Sequence, residues 1–266
     1  MRTSGRRIVF LVGLQGVAWL LPAGTIIQQE EREPGTSKVK AQATISIDAG
    51  KLRMEQEKPG EGKSVMIFDQ SKQVVWMIEP AKNSYMELTA AQVQQMGGQM
   101  QQAMKQMEAE LANMPPEQRK MVEQMMKQRM PAPQAEKEVT VREKGQGEKV
   151  GPYTCIHYEV LTSGKLTREV WTAPMDQTHL GGAEFKTFQA LGEFFGKLSG
   201  QAPKGTWELS GMNQMQGFPV RVLEYEGPRA TSEWMLVKAE QRSLDASLFT
   251  LPAGLKKSSM EGMSRE

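Results

Sequence analysis

Residues 89–130 read TAAQVQQMGGQMQQAMKQMEAELANMPPEQRKMVEQMMKQRM and contain nine of the 20 methionines in the 266-residue chain. Apolar residues recur through the first part of this stretch at steps of three and four: Met96, Met100, Met104, Met107, Leu111 and Met114. That spacing places one apolar stripe along a helix, and Gln, Lys and Glu fill the opposite face. The stretch therefore predicts a helical layer whose methionine-rich face covers another part of the fold.

Both ends of the predicted helix are marked in the sequence. The hydroxyl group of Thr89 can accept a hydrogen bond from the unpaired backbone N–H groups of a first turn. Pro115 and Pro116 end the helix, because proline lacks the N–H group and its ring clashes with the preceding turn. Both prolines suit the start of a second helix, which carries Met121 and Met125. We therefore predict a helix, a kink and a second helix within this stretch.

The sequence before residue 89 alternates between apolar and polar residues in short runs. Within residues 38–48, the apolar side chains at positions 41, 43, 45 and 47 fall on one face of an extended chain. Turn residues separate this run from four others, at 51–57, 64–68, 73–78 and 84–88. Five short strands at this spacing predict an antiparallel meander.

Strands and one more helical segment are predicted after residue 130. The strands are 138–142, 153–161, 166–172, 206–210, 220–225 and 232–239, with an edge piece at 248–251 and a helix over 176–199. The economical arrangement is one α+β domain over residues 38–257, in which helices cover one face of a single, strongly curved antiparallel sheet. Residues 25–37 are predicted to be a disordered linker and residues 258–266 a disordered tail.

The first 24 residues have the pattern of a signal peptide. Three arginines among the first seven residues precede the apolar run 8–21, and the small residues Ala23 and Gly24 follow it. This order predicts export and cleavage near Ala23 or Gly24. An uncleaved anchor over residues 8–27 is the alternative, although the glycines, glutamine and proline within it make a poor membrane span. The protein is therefore predicted to be periplasmic or secreted.

Charge and cysteine content exclude several classes of function. Lysine and arginine number 33 against 31 aspartates and glutamates, and the strongest basic cluster lies in the predicted signal peptide. No basic face remains that would favour nucleic-acid binding. Cys155 is the only cysteine in the sequence, so an internal disulfide cannot form and packing must hold the fold.

Cys155 is also the candidate nucleophile for a catalytic site that we consider first. Cys155 and His157 are two residues apart on a predicted strand and share a face, and His179 and Asp176 could complete a nucleophile–base–acid set. Because Cys155 lies in the middle of a strand, where nothing activates a thiolate, we interpret it as a small buried apolar residue. Zinc-ligand spacings and phosphate-binding motifs do not occur in the sequence. We therefore predict a protein that is not an enzyme and has no cofactor.

The methionine series admits three interpretations. Methionine can fill an irregular interface or contact an apolar ligand, thioethers can bind Cu(I), and exposed methionines can absorb oxidant as reversible sulfoxide. The first interpretation fits the tryptophan-bearing strands, several of which carry apolar residues on both faces and must be covered or leave a cavity. The candidate ligand-binding residues are Trp76, Met96, Met100, Met104, Met107, Met121, Met125, Trp171 and Trp234. The candidate Cu(I) ligands are Met96, Met100, Met104 and Met107.

Several motifs resemble those of an uncharacterised bacterial exported family, a domain of unknown function. Three segments resemble the N-terminal strands of that family: residues 66–69 (MIFD), 76–78 (WMI) and 85–88 (YMEL). Its central hairpin and C-terminal signature are similar to residues 150–155 (VGPYTC), 169–171 (EVW), 217–221 (GFPVR) and 247–254 (SLFTLPAG). That family is thought to be related to the LolA, LolB and LppX lipoprotein-carrier fold. The resemblance implies an unclosed β-barrel whose concave side holds acyl chains, with the methionine helices as a lid.

The sequence thus predicts an exported, non-enzymatic protein that binds a lipid, a lipoprotein acyl chain or another apolar ligand. One alternative is a periplasmic protein that binds Cu(I) or buffers oxidants through its methionines. Another is an envelope scaffold that contacts another envelope protein through its exposed Gln-rich face. Envelope proteins and the membrane surface are thus further predicted partners.

Overall fold

A computed structural model describes residues 24–115, 118, 139–196 and 214–258 of the chain, and within this part it places one twelve-stranded sheet and two α-helices. The strands are β1 (Gly24–Arg32), β2 (Val39–Asp48), β3 (Lys51–Lys58), β4 (Gly62–Asp69), β5 (Val74–Glu79), β6 (Ser84–Thr89), β7 (Val139–Val150), β8 (Tyr153–Thr162), β9 (Lys165–Ala173), β10 (Phe218–Glu226), β11 (Arg229–Arg242) and β12 (Lys256–Lys257). The helices are α1 (Ala90–Asn113) and α2 (Gly182–Gly196), and short 3₁₀ helices occur at Pro80–Lys82 and Ala246–Phe249.

The sheet is open, and its strand order is β12-β6-β5-β4-β3-β2-β1-β11-β10-β9-β8-β7. Neighbouring strands are antiparallel except for the short β12, which runs parallel to β6. The predicted meander is confirmed as β2 to β6, and the predicted hairpin is confirmed as β8 and β9. The predicted α+β class, one unclosed antiparallel sheet with helices packed on it, is also confirmed.

The prediction of a disordered linker at residues 25–37 is wrong. Residues 24–32 form β1, which pairs with β2 on one side and β11 on the other and so joins the two halves of the sheet. Thr25, Ile27 and Gln29 alternate towards the interior and are buried. The apolar–polar alternation that marks a strand is not visible in the sequence here, because Thr25 and Gln29, two of the three inward-facing residues, are polar.

Other predicted boundaries differ because of local geometry. The strand predicted at 138–142 continues to Val150, because two β-bulges accommodate Gly145 and Gly147 within the ladder. The helix predicted over 176–199 begins only at Gly182, after a turn in which Leu180 N–H donates to the Met175 carbonyl group. The edge piece predicted at 248–251 is instead the 3₁₀ helix Ala246–Phe249. The predicted strand 206–210, the second methionine helix and most of the tail lie outside the described residues.

Helix α1 begins where the sequence predicts. Thr89 caps it through a capping box: the Thr89 hydroxyl accepts from the Gln92 backbone N–H, and the Thr89 N–H donates to Gln92 Oε1 at 2.9 Å. The helix ends at Asn113, two residues before Pro115. Because β6 ends at Thr89 and α1 starts at the next residue, the first turns of α1 are fixed directly against the sheet.

The main core lies between the sheet and the two helices. It combines Ile45, Ile47 and Phe68 from the sheet with Val93 of α1 and Phe194 of α2. A second cluster lies on the opposite side of β4 and β5, where Leu251 and Leu255 pack against Ile67, Trp76 and their neighbours. These two strands are therefore covered on both faces, as expected for strands that are apolar on both sides.

Candidate functional site

A groove of about 520 Å³ runs along β6 and the first half of α1. Its apolar lining comes from Met86 and Leu88 of β6 and Met96 of α1. Met86 and Leu88 share a face because they are two residues apart in a strand, and both are buried. Met96 is half-buried and packs against the main core. The groove therefore has an apolar floor that is continuous with the hydrophobic core.

The α1 side of the groove carries a row of neutral amides. Gln92, Gln95 and Gln99 line it, and their spacing of three and four residues places them on one helix face. The Oε1 atom of Gln92 is already engaged by the capping box at Thr89. This side of the groove is polar and uncharged.

Two further lining residues, Glu87 and Lys257, form an ion pair on the face of the sheet that carries Trp76, opposite the groove floor. Glu87 pairs in register with Trp76 of β5, and its carboxylate Oε2 accepts from the Trp76 indole N–H at 3.0 Å. Its Oε1 atom accepts from Lys257 Nζ at 2.6 Å. The hydrogen bonds from Lys257 and Trp76 lower the pKa of Glu87, and the same contact raises the pKa of Lys257. Both groups are therefore charged at neutral pH, and their charges cancel.

Of the residues predicted to bind a ligand, Met96 lines the groove. Trp76 lies in the core cluster on the other side of the sheet and does not line the groove. Trp171 lies in a separate charged network on β7 to β11, described below, and Trp234 is half-buried on β11. Met107 is half-buried on α1 away from the groove lining. The side chains of Met100 and Met104, and all of Met121 and Met125, lie outside the described part of the chain.

Met96 is the one lining residue among the predicted ligand-binding residues; those that the prediction missed are Met86, Glu87, Leu88, Gln92, Gln95, Gln99, Lys257 and Ser258. The alternation in residues 85–88 already places Met86 and Leu88 on one face, so the sequence held a signal for the floor. Lys257 and Glu87 are 170 residues apart. Their contact depends on β12 pairing with β6, which no local pattern indicates.

The sheet also carries a charged network. Its members are Lys144, Glu148, His157, Glu159, Glu169, Trp171, Arg221, Tyr225 and Glu233. His157 is buried, stacks on Trp171 with ring centroids 4.1 Å apart, and lies with Nδ1 at 3.1 Å from Glu148 Oε1. The indole N–H of Trp171 donates to Glu148 Oε2 at 2.7 Å, and these two contacts lower the pKa of Glu148. Arg221 lies over Trp171, with its guanidinium carbon 4.5 Å from the ring centroid.

Glu169 is the centre of this network. It accepts from Lys144 Nζ at 2.9 Å and from the Tyr225 hydroxyl at 2.5 Å. Burial opposes ionisation of Glu169, but hydrogen bonds from Tyr225 and Lys144 outweigh it and lower the pKa. Burial and the bond to Glu169 raise the pKa of Tyr225 to about 12. His157 Nε2 lies 3.2 Å from Glu169 Oε1 without the orientation of a hydrogen bond.

Among the described contacts, none joins Cys155 to His157, so the structure does not support a nucleophile–base pair of these two residues. Cys155 is buried, and burial raises the pKa of its thiol. The Nδ1 atom of His157 faces Glu148 instead. Both observations agree with the interpretation of Cys155 as a small packing residue.

Two further observations concern metals and membranes within residues 24–115, 118, 139–196 and 214–258. Among these residues, no group of three or more histidine, cysteine, aspartate or glutamate side chains could hold a metal ion. Across the same ranges, no helix has the length and apolar character needed to cross a bilayer.

The fold and groove define an α+β protein with one open antiparallel sheet and an apolar groove at its edge. Residues 89–255, from the cap of α1 almost to β12, match the family model described as Domain of unknown function (DUF4412), and the chain belongs to this family. The predicted membership of a family of unknown function is thereby confirmed. No curated protein matches the sequence.

Two solved structures are similar at low identity. The structure of PNGF-II in the P21 space group has a TM-score of 0.41 and 11% identity, covering 91% of this chain and 32% of that chain. The complex structure of Pseudomonas aeruginosa MucA/MucB has a TM-score of 0.36 and 8% identity, covering 88% of this chain and 57% of that chain. This chain thus spans about a third and somewhat over half of the two matched chains. Neither likeness is close enough to bear on function.

Proposed function

We propose that this protein is an exported, non-enzymatic binder of an apolar ligand, such as a lipid or a lipoprotein acyl chain, held between α1 and β6. The observation that carries the proposal is the groove floor of Met86, Leu88 and Met96, which is open at the sheet edge yet continuous with the core. Its volume of about 520 Å³ falls in the range of roughly 300–1,000 Å³ that is typical of ligand pockets. Two of the three floor residues are methionines, whose flexible side chains adapt to varied apolar partners.

A relation to the LolA, LolB and LppX carriers is part of this proposal. The open antiparallel sheet with helices packed on it supports that relation at the level of architecture. Residues 8–24 support export to the periplasm or beyond, and cleavage after Ala23 would leave all of β1 in the mature protein. N-terminal sequencing of the protein isolated from its own compartment should find the chain starting at residue 24 or 25; an intact Met1 would contradict export with cleavage.

Ligand binding is tested by displacement of the uncharged fluorophore N-phenyl-1-naphthylamine and by native mass spectrometry of the purified full chain. Met96→Gln should weaken fluorophore binding about tenfold, because it removes apolar contact at the floor. Met107→Gln is the matched control, since Met107 is half-buried on the same helix outside the groove lining. A wild-type protein that carries no lipid and binds no fluorophore would overturn the proposal.

The Cu(I) alternative is separated from this proposal by one variant and two readouts. Replacing Met96, Met100, Met104 and Met107 together by Leu keeps an apolar surface but removes the thioether ligands. Apolar-ligand binding should then survive, and anaerobic Cu(I) titration against a competing chelator should give the same result before and after the change. A Cu(I) affinity that disappears in the variant would favour the metal-binding function instead.

A further inference from the structure

The sheet carries a row of four methionines that continues the groove floor. Met54 pairs in register with Met66, Met66 with Met77, and Met77 with Met86, so one methionine stands at the same level on each of β3, β4, β5 and β6. Side chains directly opposite each other on neighbouring antiparallel strands lie on the same face, with Cβ atoms about 5 Å apart. Met86 also lines the groove, so the row begins in the groove and runs across the strands away from it.

The methionine row lies between the packed core and a polar margin. On one side, the next level of the same four strands is buried: Leu52, Phe68, Val75 and Leu88. On the other side, the next level is polar: Gln56, Ser64, Glu79 and Ser84. Met54, Met66 and Met77 pack against the main core but are only half-buried. The row is therefore an apolar strip one side chain wide that still has surface to bury.

The strip has a defined end and therefore a defined length. On β2 the next position in the row is Ile45, which pairs with Met54 and is fully buried in the main core. Neighbouring strands are about 4.8 Å apart, so the row from Met86 to Met54 spans about 14 Å, roughly the length of an extended twelve-carbon chain. Methionine side chains are unbranched and adaptable, so they can lie alongside such a chain. A branched or ring-shaped ligand would overlap the polar margin instead.

We infer that the methionine row binds an unbranched acyl or alkyl chain across β6, β5, β4 and β3, and that its end at Ile45 limits the length of chain that adds affinity to about twelve carbons. The inference rests on the proposed function, because the chain belongs to the ligand of the same groove. The head of the ligand stays at the groove, and the chain contacts Met86 first and Met54 last. Met54 therefore contacts long chains only.

The test measures how octyl, dodecyl and hexadecyl maltoside displace N-phenyl-1-naphthylamine from the full chain, each below its aggregation concentration. Wild-type affinity should rise about tenfold from octyl to dodecyl maltoside, because each added methylene loses about half of its contact with water on the strip. From dodecyl to hexadecyl maltoside it should change by less than about twofold, since carbons beyond the row stay in water. An affinity that keeps rising by the same factor to hexadecyl maltoside would contradict the limit at Ile45.

Two variants locate the chain on the row. Met54→Gln should weaken dodecyl maltoside binding about fivefold and leave octyl maltoside binding within about twofold, because an eight-carbon chain ends before β3. Met86→Gln should weaken the binding of both maltosides, since a chain of either length crosses Met86.

Met235→Gln is the matched control, because Met235 is another half-buried methionine that packs against the main core, on β11 and outside the row. It should leave both affinities unchanged, and thermal unfolding should show that all three variants are folded. A Met54→Gln variant that binds both maltosides like the wild type, or that loses both equally, would overturn the inference and leave the proposed function standing. Wild-type protein that binds neither the maltosides nor the fluorophore would overturn both.

Discussion

The contacts of Glu87 with Trp76 and Lys257 at the sheet edge, called the rim below, and the charged network use the same pair of residue types in different surroundings. In each, a tryptophan indole N–H donates to a glutamate: Trp76 to Glu87 at 3.0 Å and Trp171 to Glu148 at 2.7 Å. At the rim, the other oxygen of Glu87 accepts from Lys257 at the edge of the sheet. In the network, the other oxygen of Glu148 meets the buried His157. The comparison indicates that the same Trp–Glu contact can lie at an exposed sheet edge or beside a buried histidine within a larger network.

The network also differs in how many strands it joins. Lys144 and Glu148 come from β7, His157 from β8, Glu169 and Trp171 from β9, and Arg221 and Tyr225 from β10. Arg221 further contacts Glu233 of β11 at 2.7 Å. The network thus connects the outermost strand β7 with β8, β9, β10 and β11. We interpret it as an arrangement that stabilises this half of the sheet. The rim joins only β5, β6 and the segment that carries β12.

The largest expected effect separates the two regions by stability. Trp171→Ala removes a buried ring that packs against the main core, stacks on His157 and supports Arg221, so it should lower the free energy of unfolding by about 3–5 kcal/mol. Urea denaturation measures this loss. Trp234→Ala, at a half-buried ring, should cost clearly less. Weaker fluorophore binding by folded Trp171→Ala protein would show that the network contributes to the ligand site after all.

A matched pair of isosteric changes gives the next largest effect. Glu169→Gln weakens two charge-assisted hydrogen bonds inside the network and should lower the free energy of unfolding by about 1–2 kcal/mol. Glu87→Gln changes a partly solvent-screened pair and should stay within about 0.5 kcal/mol. Chemical denaturation of both variants under one set of conditions compares them. Equal losses would contradict the expectation that the network contributes more to stability than the rim does.

The last expected effect is a loss of stability at alkaline pH, to which Tyr225 of the network contributes. The pKa of Tyr225 is raised to about 12, chiefly by burial and then by its bond to Glu169, whereas an unfolded tyrosine titrates near about 10. The stabilisation by neutral Tyr225 is therefore complete below about pH 10 and is lost as the pH rises towards about 12. Melting temperatures across this range should fall more steeply for wild type than for Tyr225→Phe. Parallel curves would contradict a coupled Tyr225–Glu169 pair.

Local pattern was sufficient for much of the fold. The meander β2 to β6 and the cap of α1 follow from alternation, turn residues and the Thr89–Gln92 capping box. Strand β1 was missed because Thr25 and Gln29 face inward as polar residues, and a hydrophobic period cannot register them. The end of β7 was missed because bulges let glycines stay within a ladder, which their usual association with loops conceals.

The candidate site was less accessible from sequence, for a physical reason. Met96 could be found because helical periodicity places it on the face that packs against the sheet. The tryptophans could not be placed, because the register and bulges of neighbouring strands decide the surroundings of each ring. Glu87 and Lys257 meet only through the pairing of β12 with β6. Contacts between residues so distant in sequence leave no periodic trace in either segment.

The position of β1 has a consequence for the order in which the chain can fold. Ser232 of β11 donates to Glu31 of β1 at 3.1 Å across 201 residues of sequence. A chain made from its N-terminus completes the meander β2 to β6 before β11 exists, so one edge of β1 has no partner until the hairpin of β10 and β11 arrives. Closing so long a loop is slow relative to local pairing. The β1–β11 seam is therefore expected to form last, and until then its open edge is where strand exchange between two chains would begin.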